Sequence, residues 1–175
     1  MSRSSFMRVP VTFPTRLRWL IVTLFIVVAD RATKALVESR TTEGWHHELI
    51  RNFIYLVHSK NPGIAFSIFA NSQSHLLHFG LIALSILFIA ALAWLLLTSK
   101  FATWRSLAGL SLLIGGAAGN LTDRIIHGAV TDFFEVWFGS YRYPAFNVAD
   151  SAITIGAILV LLEVLFPSQK VHDSR

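Results

Sequence analysis

Four long stretches of the chain consist almost entirely of apolar side chains, and polar residues gather between them and at their ends. They cover about 17–37, with its most apolar part from Trp19 to Ala29; 76–98; 105–127, apolar to Ala118 and then polar; and 148–166, ended by Pro167. Each is close to the roughly 20 residues that a rise of about 1.5 Å per residue requires to cross about 30 Å of hydrocarbon. The pattern therefore predicts four transmembrane helices. Between the first two, in 38–75, "FIYLVHS" has the pattern of a strand, and "KNPG" is a turn signal before "IAFSIFA". The segment 129–147 reads as two aromatic strands around Gly139-Ser140, a pair that suits a two-residue type II′ turn. The fold class expected is an all-α membrane protein with a small extracytoplasmic β layer between its helices. Its organisation is an arm over 1–16, a four-span domain over 17–166 with outer segments 38–75 and 128–147, and a tail over 167–175.

Charge sets the orientation. The arm and first turn carry Arg3, Arg8, Arg16 and Arg18 without an acid, and the connector between the second and third spans carries Lys100 and Arg105, again without an acid. Basic residues mark the cytoplasmic side, so both termini and that connector are expected inside and the two longer connectors outside. Trp19, Trp94 and Trp104 then fall at the inner interface and Trp45 and Trp137 at the outer one. A cleavable signal peptide ending at Ala29 is the competing reading of the first span. Apolar content of 54% and a mean hydropathy of +0.58 agree with a membrane protein. The net charge of +5 does not indicate nucleic acid, because the basic residues sit at the ends of apolar runs. Cysteine is absent, which excludes disulfides, thiolate nucleophiles and thiolate metal sites.

The polar residues inside the spans converge on one depth, just beneath the outer surface: Asp30 and Lys34 in the first, Asn120, Asp123 and Arg124 in the third, Asn147 and Asp150 at the start of the fourth. Asp132 lies in the preceding outer connector. Structural explanations exist for most of them. Asp30 and Lys34 form an i,i+4 pair in the favourable order; Gly115 and Gly119 present a small-residue face for helix packing; Asp123 and Arg124 suit a solvated helix end capped by Gly128. Asp150, three residues after Asn147, suits a capping box. Asp132 has no such explanation within an aromatic strand, apart from an exposed position. The functional reading joins the two acids. Two carboxylates near enough to share a proton cannot both ionise cheaply, so one stays protonated while the other acts as a base toward water. His46-His47 lacks the spacing of a zinc site, no G-x-S-x-G is present, and neither a metal nor another cofactor is expected.

In order, the chain contains "DRATK" at 30–34, "NPGIAFS" at 61–67, "GGAAGNLTDR" at 115–124, "VTDF" at 130–133 and "FNVADS" at 146–151. Together these resemble the lipoprotein signal peptidases (signal peptidase II) of bacterial inner membranes, four-span aspartic proteases. The resemblance implies Asp132 and Asp150 as the catalytic aspartates. It implies Asn61, Gly63, Asn120, Asp123, Arg124, Asn147, Asp30 and Lys34 as residues that bind substrate or support the pair. Pro62 and Arg31 stand where the family commonly has Thr and Gln. The implied substrate is a diacylglyceryl-modified prolipoprotein, cut just before its lipidated cysteine near the periplasmic face. Membrane lipid and globomycin-like inhibitors are the further partners implied, and a monomer is expected. Competing functions are a small transporter, which calls for polar groups spread through the bilayer depth, and a non-catalytic lipoprotein-binding subunit.

Overall fold

A computed structural model describes residues 13–63, 75–99 and 103–167. The stretch "IAFSIFA", Lys100, residues 1–12 of the arm and the tail beyond Pro167 lie outside them. The elements run α1 (Phe13–Arg40), β1 (His46–Ile50), β2 (Ile54–Asn61), α2 (His75–Thr98), α3 (Trp104–His127), β3 (Val130–Phe138), β4 (Tyr141–Phe146) and α4 (Val148–Leu165). The four helices coincide with the four apolar stretches. Two of them, α2 and α4, are long and apolar enough to cross a membrane. The other two have the length but carry the charged residues of the polar cluster.

The third helix is the hub. It packs against each of the other three, and its buried positions run from Leu107 to Arg124. Close approach depends on glycine. A Cβ on Gly109 would lie 2.8 Å from the Gly156 carbonyl of α4, and one on Gly119 would lie 2.6 Å from Asp30 Oδ2 of α1. The small-residue face expected at Gly115 and Gly119 is thus the α1 contact. Outward, α1, α2 and α4 expose Leu24, Phe25, Leu84, Leu87, Trp94, Ile158 and Val164 among others, a surface far more apolar than water tolerates.

Both ends of α3 are capped as physics requires. Thr103 and Ser106 form a capping box, and Gly128 takes a left-handed φ of +76°. At the far end of the bundle Arg16 donates to the carbonyls of Leu96 and Ser99, satisfying the C-terminus of α2. Arg16 lies within α1, which begins at Phe13, before the apolar run does.

The strands form one antiparallel sheet in the order β1-β2-β3-β4. The hairpin at Gly139-Ser140 has Phe138 opposite Tyr141, with Gly139 alone of the pair at positive φ, as type II′ requires. Strand β1 was not expected from the sequence. "HHELI" is exposed along its whole length, so no apolar alternation marks it, and it pairs with β2 across a turn where Asn52 takes a φ of +56°. The β2–β3 register shifts between Leu56 and Ser59, so that Ser59 faces Asp132. Such a bulge re-aims side chains locally.

Candidate active site

The polar residues meet where the sheet joins the helix ends. Asn147 caps α4: its side-chain Oδ1 accepts from the Asp150 N–H at 2.9 Å, and its own N–H donates to Asp150 Oδ2 at 3.2 Å. The capping box anticipated from the spacing is present. It does not exhaust Asp150, whose Oδ1 also accepts from Asn120 Nδ2 at 2.8 Å. Nor does it exhaust Asn147. The Nδ2 of that side chain reaches Asp132 Oδ1 at 2.7 Å, with Asn120 Oδ1 and the Thr131 carbonyl each at 3.3 Å. One residue therefore holds both acids.

Asp132 is buried, not exposed on the outer strand. Its second oxygen accepts from Asn61 Nδ2 at 3.3 Å. Asn61 in turn accepts from the Gly63 N–H at 3.0 Å, which makes "NPG" an Asx-type turn. Burial, then the Asp150 carboxyl, push Asp132 up to about 7, against the hydrogen bonds from Asn61 and Asn147 and the charge of Lys34. Arg124 completes this face, with Nη2 on the Gly63 carbonyl at 3.0 Å and Nη1 on the Asn120 carbonyl at 3.3 Å.

Asp30, Lys34 and Asp123 stand behind the face, fully buried. Lys34 Nζ pairs with Asp30 at 2.7 Å and with Asp123 at 2.8 Å and donates to Asn120 Oδ1 at 3.0 Å, so three oxygens surround the ammonium. The expected Asp30–Lys34 pair exists but is not self-contained, because Asp30 Oδ1 also accepts from the Ala149 N–H of α4 at 2.9 Å. Asp123 is not at a solvated helix end. It binds Arg31 Nη1 at 2.6 Å and is sealed by β3, whose Thr131 N–H donates to it at 3.3 Å. The sheet laid over the end of α3 excludes the water that a terminus would otherwise find.

A cavity of about 420 Å³ opens on this cluster, with Asp132, Asp150, Asn61, Asn120 and Arg124 in its lining. Leu81, Leu84 and Phe88 of α2 and Ile153 of α4 form its apolar sides, and Tyr143 to Phe146 of β4 its roof. The arrangement combines a polar floor, two acids held by one asparagine and a greasy flank. Thr131, Glu38 and Lys60, which join the cluster from outside the cavity, were not singled out from the sequence; Thr131 and Lys60 are marked there only by their neighbours Asp132 and Asn61, and nothing marks Glu38. No group of His, Asp and Glu suited to a metal ion occurs among the described residues.

A family profile described as Signal peptidase (SPase) II matches residues 22–166. Curated relatives carrying the name lipoprotein signal peptidase include one from Solibacter usitatus, 40% identical over 88% of this chain and 95% of the relative. Another, from Staphylococcus carnosus, is 33% identical over 86% of this chain and 92% of the relative. The chain also superposes on a solved structure described as a bacterial membrane enzyme obtained by the in meso method at 2.3 Å resolution. The TM-score is 0.78 and the identity 28%, covering 91% of this chain and 92% of that one. With the profile running from within α1 through the sheet to the end of α4, this chain belongs to the signal peptidase II family.

Proposed function

We propose that this protein is an intramembrane aspartic endopeptidase that removes signal peptides from diacylglyceryl-modified prolipoproteins, cutting before the lipidated cysteine. The observation that carries this reading is Asn147 holding Asp132 and Asp150 to one cavity. A water between the carboxyls gives a proton to the ionised acid and attacks the scissile carbonyl carbon, while the protonated acid donates to the carbonyl oxygen. The resulting gem-diol collapses as the carboxyl now protonated gives its proton to the departing cysteine nitrogen and the other carboxylate takes one from a gem-diol hydroxyl, so that the C–N bond breaks, a carboxylic acid forms and the pair again carries one proton. No covalent adduct forms. The acids act as one unit, so neither owns the shared proton permanently. Asn61, Asn120 and Asn147 orient them, Arg124 supplies positive charge on the same face, and Asp30, Lys34, Asp123 and Gly63 hold these residues from behind.

All four helices span the bilayer in this reading, with the termini cytoplasmic and residues 17–166 forming the peptidase. The buried charges of α1 and α3 are neutralised within the bundle, which is the condition for ionisable groups at membrane depth. The site lies near the outer face, where a lipid-bearing cysteine sits with its acyl chains in hydrocarbon. Those chains and the signal helix have apolar neighbours on α2 and α4.

The test is cleavage of a lipidated precursor by the purified full chain in detergent, read by mass spectrometry. The expected product begins at the diacylglyceryl cysteine, globomycin blocks its formation, and EDTA leaves the rate unchanged. Cleavage elsewhere, or a rate abolished by EDTA, overturns the reading.

The pH dependence follows from Asp132. The active pair carries one proton, which the pair loses as pH rises through about 7, the value to which burial and Asp150 raise Asp132. Activity is therefore expected to fall on the alkaline side with a limb near that value, and a flat profile from pH 6 to 9 contradicts it. Stability has the same sign. A carboxyl raised by folding contributes most below the ordinary carboxylate range of about 4, and the contribution is lost as pH rises through about 7.

A further inference from the structure

Thr131, the residue before Asp132, is fully buried, and its polar atoms are all engaged. Its N–H donates to Asp123 Oδ2 and its carbonyl accepts from Asn147 Nδ2, each at 3.3 Å. Its hydroxyl donates to Glu38 Oε1 at 2.5 Å and accepts from Lys60 Nζ at 2.7 Å. Lys60 Nζ also meets Glu38 Oε1 at 2.7 Å, which closes a triangle between the end of α1, β2 and β3. The second oxygen of Glu38 accepts from Arg31 Nη2 at 3.3 Å, tying the triangle back to Asp123 through the same guanidinium.

The position of this triangle gives it a task. Side chains alternate along a strand, so Thr131 turns toward α1 while Asp132 turns toward the cavity. Lys60 stands opposite Thr131 in the ladder, immediately past the register shift between Leu56 and Ser59. The ladder is interrupted just where Asp132 needs a fixed backbone. Asp132 meanwhile faces a like charge on Asp150, and two carboxylates repel whenever both ionise. Glu38, Lys60 and Thr131 are absent from the cavity lining and turn their polar atoms to one another.

We propose that Glu38, Lys60 and Thr131 form a positioning clamp that fixes β3 at Asp132, and with it the spacing of the two carboxyls, without touching substrate. The proposal rests on the assignment of Asp132 and Asp150 as the reacting pair. Arg124, Lys34 and Asp150 are the charged groups that bear on Asp132 from α3, α1 and α4, and none of them belongs to the clamp.

The test compares Thr131→Val, which keeps the shape and loses the hydroxyl, with Thr131→Ser, which keeps the hydroxyl, and with Lys60→Met. Thr131→Val and Lys60→Met are expected to lower kcat about 10- to 100-fold with KM within about twofold, the pattern of misplaced reacting groups. The alkaline limb moves to lower pH as the carboxyls part, and Thr131→Ser restores rate and limb. Parental kcat and limb in Thr131→Val and Lys60→Met overturn the clamp, as does a change confined to KM, or a Thr131→Ser variant as impaired as Thr131→Val. If Thr131→Val does not fold, Lys60→Met decides alone, since the Lys60 side chain is partly exposed. Asp132→Asn and Asp150→Asn run alongside: their loss of activity with unaffected clamp variants removes the clamp only, whereas their retention of activity removes the assignment beneath it.

Discussion

Asp132→Asn and Asp150→Asn are each expected to lower cleavage of a lipidated precursor by at least about 10³-fold while the protein still folds, because general acid–base transfer contributes roughly 10² to 10⁴ and in the proposed mechanism one pair performs both halves of it. The substitutions are nearly isosteric. An asparagine at 132 retains a carbonyl oxygen for the donor of Asn147 or of Asn61, and one at 150 retains an acceptor for Asn120. Rate and stability should also separate in direction at position 132. Burial disfavours the ionised acid there, so the neutral amide is expected to unfold at the same or a higher temperature than the parent at pH 8. Sites that keep a costly charge for chemistry commonly gain stability when it is removed. Activity within tenfold of the parent, in a variant whose mass verifies the substitution, would remove that aspartate from the mechanism.

The second large effect is on stability. Lys34→Met leaves Asp30 and Asp123 buried without the ammonium that lies 2.7 and 2.8 Å from them. Removing one member of a buried ionic cluster typically costs about 3–5 kcal/mol, because the remaining charge is left uncompensated. Asp123 retains Arg31 and Asp30 retains the Ala149 N–H, which places the expected loss toward the lower end of that range. Adding Asp30→Asn to Lys34→Met is expected to recover part of the loss, since the charge then left over is removed as well. Thermal unfolding in detergent measures both variants. A Lys34→Met protein as stable as the parent, or no recovery in the double variant, would mean that the cluster does not hold the helices together. Activity is expected to fall too, because Lys34 orients Asn120, which orients Asp150.

Much of this architecture is legible without coordinates. Hydropathy marks all four helices, since lipid-facing and packed helical residues are apolar alike. Gly139-Ser140 announces its hairpin because only glycine takes the positive φ of that turn without strain. Asn147 and Asp150 announce their cap through spacing alone. Failures occurred where composition carries no trace of burial. The exposed strand β1 has no alternation to read. Asp123, near a helix end with a glycine cap, has the local signature of solvated charge, and it is buried only because a sheet from elsewhere in the chain covers it.

By itself the sequence determined the helices, the aromatic hairpin, the family and the acids worth watching, because each depends on neighbours within a few residues or on the order of short motifs. The folded arrangement alone decided who holds whom: Asn147 on both acids, Lys34 among three oxygens, and Thr131 between Glu38 and Lys60. Most of those contacts join residues far apart along the chain, brought together by the packing of α3 on its neighbours and by the register of β3. Local periodicity reports which face of an element is apolar. It does not report which polar groups will share the same few ångströms once water has been excluded.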